Sequence, residues 1–193
     1  MRFRFRVIAP AITLAACATL SAQPQTYKNV GRTPTPQEVQ AMDIAIGTDG
    51  KELPPGNGNA KAGARIFAEK CVACHGEKLE GSSQAPALVG GKGTLTTLHP
   101  KMTAGSYWPF ATTIFDYIRR AMPRYQEGSL KVDEVYSLTA FILYRNDIIK
   151  EDDVIDAASL PKIVMPNRNG FIPQNLDEIH DAKKRGCRIG HCP

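Results

Sequence analysis

Cys71-Val72-Ala73-Cys74-His75 is the stretch on which the reading of this chain turns. Two thiols separated by two residues, with an imidazole directly after, form the attachment pattern of a c-type haem. The spacing suits that chemistry. The thiols must reach the two vinyl groups of one macrocycle, and the histidine must present a ring nitrogen to the iron from the same side. A C-x-x-C pair also occurs in thioredoxin-like redox sites and in half of a zinc site. A redox pair belongs beside a β-α-β pattern, and no strand pattern precedes Cys71. A zinc site needs another close pair of ligands. One C-x-x-C-H therefore predicts one covalent haem c.

Working outward, Gly63, Ile66, Phe67 and Cys71 recur at helical spacing. They predict a helix over about 60–73, capped by Asn59, which brings the two cysteines to its C-terminal end. A second helix is predicted over 111–121, with Ile114, Phe115 and Ile118 on one stripe. A third runs over about 130–146, with Val135, Leu138 and Ile142 inward and Asp133 and Glu134 near the positive end of its dipole. Before all of these, Thr35-Pro36-Gln37-Glu38 has the form of a capping box with Pro at the first helical position. It predicts a short helix ending near Asp43. The rest of 23–58 is rich in Pro and Gly and has too few apolar residues for a core of its own. No strand or internal repeat is evident, so the expected class is all-α, built around haem.

Composition agrees with a small globular protein. The chain has 193 residues, 42% hydrophobic and 22% charged, which excludes wholesale disorder. No run of 18 or more apolar residues predicts a membrane span. The formal charge is +5, but Arg2, Arg4 and Arg6 lie in an N-terminal leader pattern. Lys183, Lys184, Arg185 and Arg188 cluster near the other end. The body between is close to neutral, which gives no support to nucleic-acid binding. Residues 1–22 combine the basic start with an apolar stretch over 7–16, the pattern of a signal peptide. Two exits stay open: cleavage after Ala22, or removal of 1–16 with lipidation of Cys17, since Leu14-Ala15-Ala16-Cys17 resembles a lipobox. Both predict a periplasmic protein. Of five cysteines, Cys71, Cys74, Cys187 and Cys192 then remain, and the last two are expected to close a local disulfide in an oxidising compartment.

Over about 58–148 these features resemble the class I cytochromes c. In that family the first and last helices cross near a glycine and bulky apolar residues. Gly63 and Phe67 would here meet the face carrying Leu138 and Phe141. By the same resemblance, Pro86 in Gln84-Ala85-Pro86-Ala87-Leu88 is the proline whose carbonyl accepts the ligand histidine's other N–H. His75 is then one axial ligand. Met122, followed by Pro123 in the loop before the last helix, is the other. Met102, Met165 and His99 are the remaining candidates, with Met165 placed beyond the fold; a histidine there would give a lower potential.

A narrower resemblance is to the cytochrome subunit of the Sox sulfane dehydrogenase and related sulfite dehydrogenases. Its blocks are Gly31-Arg32-Thr33, Gly105-Ser106-Tyr107-Trp108-Pro109, Ile118-Arg119-Arg120-Ala121-Met122-Pro123, the stretch 146–153, and Met165-Pro166-Asn167-Arg168-Asn169-Gly170-Phe171. The resemblance implies a class I cytochrome c fold with wrapping extensions at both ends. The segments are 23–58 as an extension with a short helix, 59–148 as the cytochrome domain, and 149–193 as a C-terminal extension with a basic tail. Tyr107 and Trp108 are expected to wall the haem pocket. Arg119 and Arg120 are expected to face a propionate, a partner or solvent. The implied function is electron transfer by a mono-haem subunit that is not catalytic alone. Electrons would come from a molybdenum-cofactor subunit and pass to a downstream acceptor such as another cytochrome c. The competing classes are a haem enzyme or gas-binding cytochrome with an open axial site, and a free-standing electron shuttle.

Overall fold

Asn59 starts the first helix of the haem motif: its side chain accepts the Ala62 N–H at 2.9 Å, as an N-cap should. The computed structural model describes residues 30–171. The signal-peptide pattern, Cys17, and the Cys187–Cys192 pair lie outside the described residues. In chain order the elements are α1 (Pro36–Met42), β1 (Asn57–Asn59), α2 (Ala60–Lys70), α3 (Val72–His75), α4 (Ala111–Ala121), α5 (Val132–Arg145) and β2 (Val154–Asp156). A 3-10 turn follows at Leu160–Lys162.

α5 is the centre of the molecule. Its residues from Val135 to Leu143 are all buried, so it behaves as a core helix packed on every side. Three polar side chains lie in or against that run, and each is satisfied locally. Ser137 Oγ donates to the Asp133 carbonyl at 2.7 Å and Thr139 Oγ1 to the Val135 carbonyl at 2.7 Å. Tyr136 Oη donates to the Pro54 carbonyl at 2.9 Å, which ties the N-terminal segment to the core.

α2 crosses α5 where Gly63 meets Ser137, and the Phe67 and Phe141 rings pack beside the crossing at 5.3 Å. This is the crossing expected from the class I resemblance. α4 closes the other side, with Phe115 against Tyr136 at 4.5 Å. Phe67, Phe115, Val135, Leu138 and Leu143 share one apolar cluster. Each such fully buried side chain contributes roughly 1.5–3 kcal/mol.

The segment before β1 is fastened by charge as well as by packing. The Asp116 carboxylate on α4 accepts the Ile46 N–H at 2.8 Å and also holds Arg120 one turn on. Beyond α5 the chain returns across the domain. Ile155, Leu160 and Met165 are buried in the same core.

Three expectations are corrected. The domain is not purely helical, because β1 and β2 pair antiparallel with Gly58 opposite Ile155. Each strand has only three residues and they lie far apart in sequence, so no local alternation announces them. The helix expected over 60–73 breaks at Cys71, whose φ of -124° interrupts α2 before α3 resumes. Met165 is not beyond the fold: it is 1% exposed.

Candidate functional site: the haem motif and its loop

α2 delivers Cys71, whose N–H still bonds to the Phe67 carbonyl at 2.9 Å. The chain then tightens into α3. His75 N–H donates to Cys71 O at 3.0 Å, and Gly76, at φ +77°, ends the turn. One short helical turn therefore carries Cys71, Cys74 and His75 together. Both thiols are half-buried and unpaired by a disulfide. Burial pushes the Cys71 thiol up to about 11. That is the reverse of the lowered thiol pKa that activates a redox cysteine. Among the described residues no three His, Cys, Asp or Glu side chains cluster as a metal site would require, which removes the zinc alternative there.

The loop after α3 folds back over the motif. Gly81 N–H donates to the His75 carbonyl at 2.8 Å, and Leu88 N–H to the Leu79 carbonyl at 2.9 Å. Gly81 has φ +84°, and a Cβ there would come within 2.5 Å of the Ala87 nitrogen. Only glycine lets the loop close this tightly. Closure brings the Pro86 carbonyl to 3.4 Å from His75 Nδ1, a long contact with the geometry for accepting its N–H. The opposite ring nitrogen, Nε2, is left for a ligand. Burial holds the His75 pKa below its ordinary value, with Pro86 acting in the other direction. The neutral imidazole is the form a metal needs.

Met122 follows α4 directly. It is half-buried and packs against the core cluster. The rival donors are placed differently. Met102 is 60% exposed, His99 is exposed, and Met165 is enclosed in the core. Trp108 packs against the same cluster and meets the Tyr117 ring edge-on at 5.7 Å. Tyr107 instead pairs with Phe171 at 5.1 Å, and its carbonyl accepts Asn167 Nδ2–H at 2.7 Å. Arg119 donates to the Ile44 carbonyl at 3.3 Å and Arg120 is engaged by Asp116. Arg119 thus fastens the N-terminal segment directly, and Arg120 braces the Asp116 carboxylate that accepts the Ile46 N–H.

Several contributors escaped the sequence reading. Gln84 Oε1 accepts from Cys74 Sγ at 3.2 Å, and Ser82 Oγ donates to the Cys74 carbonyl at 2.6 Å. Thr103 and Ser106 form a buried pair that reaches Gly90 and Lys101. A Ser-Ser-Gln run in a loop gives no signal of its own, because its value lies in what the closed loop faces.

The donor set fits a covalently held haem. Two reduced thiols stand on one turn beside a neutral imidazole whose far nitrogen is backed by a carbonyl, and a half-buried thioether is available from a separate loop.

Comparison with known proteins identifies a cytochrome c domain. Residues 58–142 match the family model described as cytochrome C oxidase, cbb3-type, subunit III. Among solved structures, the chain is similar to a chain in the crystal structure of the sulfane dehydrogenase SoxCD from Paracoccus pantotrophus. The identity is 38% and the TM-score 0.72, over 86% of this chain and 79% of that one. No curated protein matches the sequence.

Proposed function

This chain belongs to the class I c-type cytochromes and resembles the Sox cytochrome, and on that premise we propose that it is a periplasmic, mono-haem electron-transfer subunit serving a molybdenum-containing sulfane or sulfite dehydrogenase. The observation that carries this reading is the extent of the likeness. It covers 86% of the chain, while the cytochrome family model covers only 58–142. The flanking segments, and not only the haem-binding part, are therefore shared with a chain of a sulfane dehydrogenase.

In this reading Cys71 and Cys74 hold the macrocycle through their sulfurs. His75 and Met122 would supply the two protein ligands to the iron. The Pro86 carbonyl orients the imidazole and increases its donor strength, as outer partners of ligating histidines do. Trp108, and Tyr107 beside it, complete the pocket wall. A haem held in this way supplies a one-electron ferric–ferrous couple whose potential a thioether ligand raises. With His75 and Met122 as its two ligands no position is left for a substrate, so the chain is not catalytic alone. Oxidation of a sulfur compound releases electrons in pairs, and a second centre must divide each pair. A molybdenum-containing subunit would supply that centre, with this chain taking the electrons one at a time. Onward transfer goes to an acceptor such as another cytochrome c. The 1–22 leader, or 1–16 with a lipid on Cys17, delivers the protein to the periplasm.

Two experiments test this. Haem should stay on the wild-type chain in a denaturing gel, and Cys74→Ala should abolish the coloured product; colour lost on denaturation would defeat the covalent assignment. The protein purified from its host should bring molybdenum with it, and its haem should be reduced when sulfite or a thiosulfate-loaded carrier protein is added. A molybdenum-free monomer that no sulfur dehydrogenase of that host reduces would leave only a generic cytochrome.

A further inference from the structure

Asn146 stands just beyond α5 as its C-cap, half-buried. Its Nδ2 donates both protons, one to the Ile142 carbonyl at 2.9 Å and one to the Leu88 carbonyl at 3.0 Å. Its Oδ1 accepts the Gly90 N–H at 3.2 Å. This set determines the amide's orientation, since a flipped amide would face two carbonyls with an oxygen and an N–H with a donor. A helix cap needs only the bond to Ile142. The other two reach a segment 56 and 58 residues away in sequence.

That segment leads to the haem ligand. Leu88 is bonded through its own N–H to Leu79, so the Asn146 amide and the loop over α3 grip the same residue from opposite sides. Gly90 is gripped in turn by Thr103 Oγ1, which donates to its carbonyl at 2.8 Å. Gly105 backs the arrangement, because any Cβ there would overlap the Asn146 amide. Pro86 lies two residues upstream of Leu88, with its peptide pressed on Gly81.

Resting on the reading of His75 as an iron ligand, we propose that Asn146 is a positioning residue for that histidine. Its amide fixes the 88–90 segment against the end of α5 and thereby sets where the Pro86 carbonyl meets His75 Nδ1–H. None of the three Asn146 hydrogen bonds reaches His75 or the haem motif. It acts through Leu88 and Pro86, and it couples the central helix to the strength of the proximal hydrogen bond.

The test uses haem-loaded protein with Asn146→Leu, which removes all three bonds without adding charge, and Asn146→Ala, which cannot crowd Gly105. Solvent exchange of the His75 Nδ1 proton is followed by NMR in the ferrous protein, and the midpoint potential is measured. Both variants should exchange that proton several-fold faster than wild type. Their potential should rise, because a weaker Pro86 bond makes the imidazole a poorer donor to ferric iron. A tenfold shift in the ferrous-to-ferric ratio corresponds to about 59 mV for one electron. Val135→Ala, a destabilising change near the other end of α5, should lower thermal stability and move neither readout. If the Asn146 variants melt earlier but keep the wild-type exchange rate and potential, the residue is a helix cap only and the proposal is overturned. If His75 proves not to ligate the iron in the wild-type protein, the functional reading beneath it falls too, so the two failures are distinct.

Discussion

Gly63 of α2 lies directly against the main-chain carbonyl of Ser137 in α5, with no room between them for a side chain. The close approach lets Phe67 reach Phe141 and sets the α2–α5 crossing from which the haem motif projects. Gly63→Ala forces a methyl into backbone, which cannot rotate away. We expect a loss of about 1–3 kcal/mol in denaturant unfolding, as for overpacked cores. A variant as stable as wild type would show that the helices separate at little cost.

The two buried or half-buried methionines should behave in opposite ways. Met122→Ala should abolish the far-red methionine–iron absorption and lower the potential. Met165→Ala should keep that band but cost roughly 2–5 kcal/mol of stability, as core truncations do. Met102, at 60% exposure, should tolerate alanine in both respects. Loss of the band in Met102→Ala would reassign the sixth ligand.

Acid should loosen the N-terminal segment before the core. Burial pushes the Asp116 carboxyl up, but the Arg120 guanidinium and the Ile46 N–H outweigh it and leave the pKa below the ordinary value. A carboxylate with a depressed folded-state pKa stabilises the native protein above its unfolded-state pKa and loses that contribution as pH falls through the folded one. The protection of the Ile46 amide, its exchange rate compared with the intrinsic rate at the same pH, should therefore fall at pH values below about 4. Asp116→Asn should show reduced protection of that amide already at neutral pH and a flatter acid dependence of it.

The segment after β2 is held by a small set of contacts at its end. Arg168 stacks over the Phe110 ring at 4.0 Å, and Asn167 bonds to the Tyr107 carbonyl. Arg168→Ala should cost about 0.5–1 kcal/mol, the range of an exposed cation–π contact. Combined with Asn167→Ala it should expose the segment to limited proteolysis. Unchanged cleavage would place the anchoring elsewhere, at Met165 or Leu160.

The local features were legible in the residues themselves. Each is a short-range pattern with its own physical cause: Thr35 caps Glu38, Asn59 caps Ala62, and the stripe of α4 repeats every helical turn. The attachment motif belongs here too, since its chemistry resides in five consecutive residues. The α2–α5 crossing was legible only through the family resemblance, and the structure places it as expected. What tertiary structure decided is everything that needs two distant segments at once. The β1–β2 pairing, the burial of Met165 and the bond from Arg119 to the Ile44 carbonyl depend on partners that no local window contains. Asn146 is the sharpest case. In sequence it is a polar residue ending an apolar helix, and only the closed fold places its amide between Ile142, Leu88 and Gly90, where both its N–H groups and its oxygen find partners.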